Sequence, residues 1–344
     1  VKIFGWSGDA GACEHFRLTL PLRELARQGH ATAVNEQMPQ AVQDGSQDVV
    51  VAQRTSNPAP VGLFLRMCRA GESLMVYELD DDFFSLTEDN PAYPVYDEDR
   101  QRRIRQCLEA AHLVTVSTEP LADVCRQFND QVVVLGNYLP AIVQPRPAGY
   151  SSDTVTVGWS GGTSHNRDFG ECAKPLRGFL QRHGDIVDFH CLGVDFTGRV
   201  ASHRARTRHT GWNPSPSAYL DAVDFDIGLA PLRDTTFNHS KSPLRCLELA
   251  ALGIPVIASN VTPYREFVRH EVTGLLVDNH REWAGALEHL TANPTVRAVM
   301  GAQARAAVSG MTVEANAHRW AQTYQDAIDR RSHAGLPRSL AGAR

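Results

Sequence analysis

The sequence is poor in the features that tie a fold to disulfides, to a metal or to a membrane. Seven cysteines among 344 residues, namely Cys13, Cys68, Cys107, Cys125, Cys172, Cys191 and Cys246, are scattered, odd in number and free of any C-x-x-C pair. That excludes a disulfide framework and a zinc ribbon, and it fits buried reduced thiols. The fourteen histidines show no H-x-x-x-H or H-E-x-x-H spacing, so no metal is expected. No run reaches 18 uninterrupted apolar residues, so no spanning helix is expected. Val1–Trp6 enters a strand-like segment at once, without a charged region and long apolar run before it. No signal peptide is read there, and a cytoplasmic location is expected. A net charge of −5 with 42% apolar and 21% charged residues demands neither a nucleic-acid nor a membrane partner. The basic run His203, Arg204, Arg206, Arg208 and His209 reads equally as a local patch or a solvated loop.

What is present is alternation. Strands are predicted at Val1–Trp6, Ala31–Val34, Asp48–Gln53, Leu74–Leu79, Leu113–Val116 and Val132–Leu135. Helices are predicted between them at His15–Gln28, Pro60–Ala70, Asp99–Ala111 and Pro120–Phe128. A proline-rich stretch without periodicity, Asn137–Thr154, reads as a linker. A second series follows, with strands at Thr154–Trp159, Val187–Leu192, Phe225–Ala230 and Pro255–Ala258. Its helices are Asp168–His183, one beginning at Pro216–Ala222, and Ser242–Leu252. Helical stretches Arg281–Thr291, Thr295–Ser309 and Val313–Arg331 close the chain before a small and basic tail, Ser332–Arg344. Continuously apolar strands alternating with helices imply parallel, doubly wound sheets, here two of them. Ligands of such sheets sit at the carboxyl ends of the strands.

The most informative block is Ser240–Ser259. It reads as a loop, a helix capped by Ser242 with Pro243 at its first position, a stop at Gly253 and a buried strand. Lys241 beside a helix start suits a phosphate, and equally a surface turn. Glu248 is either an exposed helix carboxylate or a ligand group. Ser160-Gly161-Gly162-Thr163 follows a strand, where paired glycines let backbone amides approach an anion or simply turn the chain. Gly158-Trp159-Ser160-Gly161-Gly162 also has the outline of G-x-S-x-G, so a serine hydrolase is a competing reading. Asp80-Asp81-Asp82 ends a strand, and adjacent carboxylates need donors or a cation. It contains the D-x-D of metal-dependent GT-A transferases.

Glu248 followed by Ala250-Ala251-Leu252-Gly253-Ile254-Pro255-Val256-Ile257 resembles the donor-site segment of retaining GT-B glycosyltransferases of the family-4 type. Their signature is Glu, seven residues, Glu, a small-residue helix and G-x-P-V-I. Tyr264–Val268 and Thr273–Val277 are similar to that family's closing segment. The family's first glutamate contacts the transferred sugar, and Ser240 stands in its place here. The second glutamate, matched by Glu248, holds the ribose hydroxyls of the donor.

The resemblance implies an α/β GT-B fold, two Rossmann-like doubly wound domains facing across a cleft. Residues 1–140 would be the acceptor side and 150–310 the nucleotide-sugar domain. Residues 311–331 would form a helix crossing back, and 332–344 a tail. It implies transfer from a UDP-, GDP- or dTDP-sugar, with retention, to a small-molecule or polymer acceptor, a nucleic acid not being excluded; a homodimer is compatible. It places Gly161, Gly162, Thr163, Ser240, Lys241, Ser242 and Glu248 at the donor. Lys241, His15 and Asp81 are assigned to catalysis, with Arg17 a second acceptor or phosphate contact. Relatives carry a charged pair near the glycine loop, and here Lys241 or Arg167 would supply that charge. Relatives also carry a similar Tyr-x-x-Asp-Asp-Asp at the cleft. A catalytically degenerate GT-B protein that binds a nucleotide without turnover is the alternative.

Overall fold

The computed structural model describes residues 1–8, 11–141, 143, 154–213 and 215–333. Most of the predicted linker and tail lie outside them. Six strands form the first sheet: β1 (Lys2–Ser7), β2 (Ala31–Asn35), β3 (Val49–Gln53), β4 (Leu74–Leu79), β5 (Leu113–Val116) and β6 (Val132–Val134). Their order is β2-β1-β3-β4-β5-β6, parallel throughout. The second sheet holds β7 (Val155–Gly161), β8 (Val187–Gly193), β9 (Thr207–Thr210), β10 (Ile227–Ala230), β11 (Val256–Ser259) and β12 (Gly274–Val277). Its order is β12-β11-β10-β7-β8-β9, also parallel. Each sheet reverses its winding beside its first strand, and such switch points open a crevice at the strands' carboxyl ends.

The principal helices are α1 (Leu20–Arg27), α2 (Pro58–Ala70), α3 (Glu98–Ala110), α4 (Glu119–Arg126), α5 (Gly170–His183), α6 (Leu244–Ala251), α7 (His280–Ala292), α8 (Pro294–Val308) and α9 (His318–His333). Val49 to Ala52 and Leu74 to Leu79 are buried at every position, as a sheet covered on both faces requires. Separate apolar layers lie on either side of each sheet. Helix α9 packs on the first sheet: Trp320 and Tyr324 join Leu18, Leu25 and Leu74 in one cluster. Arg331 donates to the carbonyls of Ser73 and Gly71 at 2.7 and 2.8 Å.

Three local expectations need correction. The helix expected over His15–Gln28 is a π-helical turn, His15–Thr19, running into α1. Pro21 near the start of α1 lacks an N–H and crowds the preceding turn, so the chain widens there. The basic run divides: His203 to Arg206 is the expected loop, while Arg208 and His209 lie in edge strand β9. Its Arg204, Arg206 and Arg208 pair with Asp185, Asp188 and Asp224. Charged edges of this kind discourage further strand pairing. Finally, Ser160 lies inside β7 and is buried. A nucleophile elbow needs its serine exposed on a strained turn, so the hydrolase reading fails. Among the described residues no helix is long and apolar enough to cross a membrane.

Candidate active site

A cavity of about 570 Å³ lies between the two domains, at the carboxyl ends of both sheets. Its first wall comes from Gly11 and the helical turn it opens after β1 (Ala12 to His15), from Arg17, and from Asp80 and Asp81 after β4. The arginine and the aspartates of this wall are engaged by other charged groups. Arg17 is buried; its Nε donates to Glu78 at 2.7 Å and its Nη1 to the Leu135 carbonyl at 2.6 Å and to Asn137 at 2.9 Å. Thr115 also donates to Glu78. Burial pushes the Glu78 carboxyl up, and the Arg17 charge pulls it back.

Arg54, in the left-handed region with φ 51°, reaches Asp80 and also donates to Asp81 at 2.7 Å. Lys241 of the second domain approaches Asp81 at 3.3 Å and lies over the Phe237 ring. Burial raises the Asp81 carboxyl, but Lys241 and Arg54 outweigh it, and the net direction is down. Asp82 turns away and accepts the Phe84 amide at 3.1 Å. Cations thus hold Asp80 and Asp81, and a backbone amide holds one oxygen of Asp82, whose Oδ2 is buried without a hydrogen-bond partner among the described residues. Among the described residues no cluster of three or more His, Cys, Asp or Glu is placed to hold a metal ion.

The second wall is built from β7 and α6. Gly161 closes β7, and a Cβ there would strike the Arg245 guanidinium. Gly162, Ser164 and His165 continue along the cavity, while Thr163 is exposed and not part of its lining. His165 Nδ1 lies 2.9 Å from Asp168, which also accepts from Asn238 and from the Arg233 amide. Burial, with the charge of Arg245, pushes the His165 imidazole down to about 4. His165 is therefore neutral at pH 7.

Arg245 and Glu248 stand one turn apart on α6 and both line the cavity, as spacing i, i+3 dictates. The Glu248 carboxylate takes no hydrogen bond or ion pair from the described residues. Desolvation pushes it up to about 7 against the pull of Arg245. Tyr219 and Trp212, 5.5 Å apart between ring centres, complete this end.

The sequence-predicted residues divide. His15, Asp81, Gly161, Gly162, Lys241, Ser242 and Glu248 all reach the cavity. Ser240 does not: it is buried behind Lys241, and its carbonyl accepts the Thr118 hydroxyl at 2.7 Å. Ser242 is not the helix cap, because its hydroxyl accepts from Asn137 at 2.8 Å and the helix starts after Pro243. Arg17 is held within the first domain, and Arg167 is exposed. Sequence reasoning missed Arg245, His165, Tyr219 and Trp212. Of these only Arg245 left a legible signal, its place one helical turn before Glu248.

Residues 178–293 match the family described as Glycosyl transferases group 1. The D-inositol 3-phosphate glycosyltransferase of Thermobispora bispora is 36% identical over 107 residues, 30% of this chain and 24% of that protein. That of Rhodococcus erythropolis is 41% identical over 86 residues, 24% of this chain and 20% of that protein. The matched stretch thus spans about a quarter or less of these relatives' length. Likeness of fold extends further. The Anabaena Alr3699/HepE structure in complex with UDP superposes with a TM-score of 0.68 at 16% identity, over 95% of this chain and 100% of that one. Sucrose-phosphate synthase (tll1590) from Thermosynechococcus elongatus gives 0.70 at 14% identity, over 96% and 100%. The fold is therefore GT-B, which overturns the GT-A alternative, and the match to glycosyl transferases group 1 lies within its second domain.

Proposed function

We propose that this chain is a glycosyltransferase that moves a sugar, with retention, from a nucleoside diphosphate sugar to an acceptor entering from the first domain. The supporting observation is the partnerless Glu248 carboxylate, which shares one interdomain cavity with Lys241 and the Gly161-Gly162 turn. A carboxylate can accept two hydrogen bonds from a vicinal diol, so Glu248 holds the ribose. Lys241 and the amides at Gly162 face the diphosphate, whose negative charge grows as the sugar departs. Fixed donors aimed at developing charge commonly make the largest catalytic contribution. On the opposite wall His15, its imidazole lowered by burial, and Asp81 meet the acceptor. UDP-sugars are the first donors to try, since neighbours of this fold bind UDP and glucose. No metal is needed in this scheme, and EDTA should leave turnover unchanged; metal-reversible loss would overturn that point.

The burial of Ser240 outside the cavity favours one second reading, a nucleotide-binding protein without turnover. Incubation with UDP-, GDP- and dTDP-sugars, followed by mass spectrometry for transfer or hydrolysis, separates the two. Consumption of one donor supports the enzyme; binding of a nucleotide without consumption leaves the binder; no binding of any donor sinks both.

A further inference from the structure

We infer that Arg245 is the principal cation for the ligand's diphosphate, ahead of the motif's Lys241, whose charge is shared with Asp81. The inference rests on the proposal that a nucleoside diphosphate occupies the cleft. Three full cations line the cavity: Arg17, Lys241 and Arg245. Arg17 is neutralised by Glu78 and bonded to a carbonyl and an amide oxygen. Lys241 faces Asp81. His165 is held by Asp168 and carries no charge at neutral pH. Arg245 alone has no acceptor: its guanidinium makes no hydrogen bond or ion pair with any described residue, and its Nη1 is out of reach of solvent.

A guanidinium carries five N–H donors. Leaving the desolvated Nη1 donors unmet is costly. The surroundings of Arg245 are nevertheless shaped to keep it there. Its Cζ lies 5.1 Å from the centre of the Trp159 ring, a cation–π contact that steadies the guanidinium without using its donors. Gly161 contributes the space, since any Cβ would collide with the Nη2 end. Glu248, one turn along, forms no ion pair with it. An anion from outside the chain is the missing partner.

A many-oxygen anion fits best, because a second set of donors meets the guanidinium. Gly162 and Ser164 line the same cavity beside Gly161, and the N–H groups of residues 162–164 find no backbone acceptor among the described residues. A fork from the helix and amides from the turn can embrace the two phosphates of a nucleoside diphosphate. Arg167, the cation nearest in sequence to that turn, is exposed and senses Asp89 instead.

Calorimetric titration with UDP and uridine tests this in the wild type, Arg245→Gln and Arg245→Lys, with GDP/guanosine and dTDP/thymidine as further pairs. The nucleotide that the wild type binds defines the probe. For that probe Arg245→Gln should lose about 30-fold or more in diphosphate affinity, the scale of one charge-assisted bidentate contact. Nucleoside affinity should change less than about twofold on the same reasoning. Arg245→Lys should recover the part due to charge but not the part due to the fork. If Arg245→Gln does not fold, Arg245→Lys carries the test, and equal diphosphate affinity in that variant overturns the inference. Equal loss of nucleoside and diphosphate binding also overturns it, as expected if Arg245 only props Trp159. A wild type that binds none of the three diphosphates defeats the proposed function itself, a distinguishable result.

Discussion

The two walls of the cleft handle charge in opposite ways. On the first wall Arg17 meets Glu78, and Arg54 meets Asp80 and Asp81. On the second wall Arg245 and Glu248 stand a turn apart, and neither has a hydrogen-bond or ion-pair partner among the described residues; Arg245 rests only on the Trp159 ring. Paired buried ions hold architecture, and removing one partner strands the other in low dielectric. Unpaired groups lining a cavity weaken the empty protein and are retained where a ligand completes them. The contrast assigns support to the first wall and recognition to the second. Lys241 bridges the two, reaching from one domain to Asp81 of the other.

The contrast breaks most sharply at Arg17. Arg17→Ala leaves Glu78 buried with only Thr115 to hold it, and should cost about 3–5 kcal/mol of folding stability. Urea unfolding at pH 7 measures it; a loss below about 1 kcal/mol would show that the pair is not structural.

Glu248 should behave in the reverse manner. Glu248→Ala should weaken nucleotide binding by roughly 1–3 kcal/mol without lowering stability. Its pH dependence has a definite sign. A carboxyl raised from 4.5 to about 7 in the folded state binds more protons folded than unfolded between those values. Folding therefore loses stability as pH rises through that window. Glu248→Gln removes the loss, so it should raise the stability of the empty protein at pH 8 by roughly 1–3 kcal/mol and leave it unchanged near pH 4. A pH-independent effect would mean the carboxylate already has a partner.

The smallest effect belongs to the bridge. Asp81→Asn frees Lys241 and should tighten UDP binding by about two- to fivefold, the scale of a partly exposed ion pair. Weaker binding in that variant would place Asp81 at the ligand rather than in competition with it.

The βα alternation was legible because parallel strands buried on both faces are apolar runs, as at Val49–Ala52 and Leu74–Leu79. Edge strand β9 escaped notice for the same reason in reverse: partly exposed, it carries Arg208 and His209 where a buried strand would carry valine. The π-turn at His15–Thr19 escaped because a helical period is the same on either side of Pro21. Glu248 and Lys241 were found by their motif. His165 was not, since a lone histidine in a loop carries no periodic signal.

By itself the sequence determined two doubly wound domains and the helix that carries Glu248. These follow from local pattern: apolar runs, turn residues and spacing along a helix. Which charges are paired and which are free was decided only by tertiary structure. Arg17 and Arg245 are equivalent letters in the sequence, and both point into one cleft. Glu78 lies 61 residues from Arg17 and reaches it across the fold, whereas no hydrogen-bond acceptor among the described residues reaches the Arg245 Nη1.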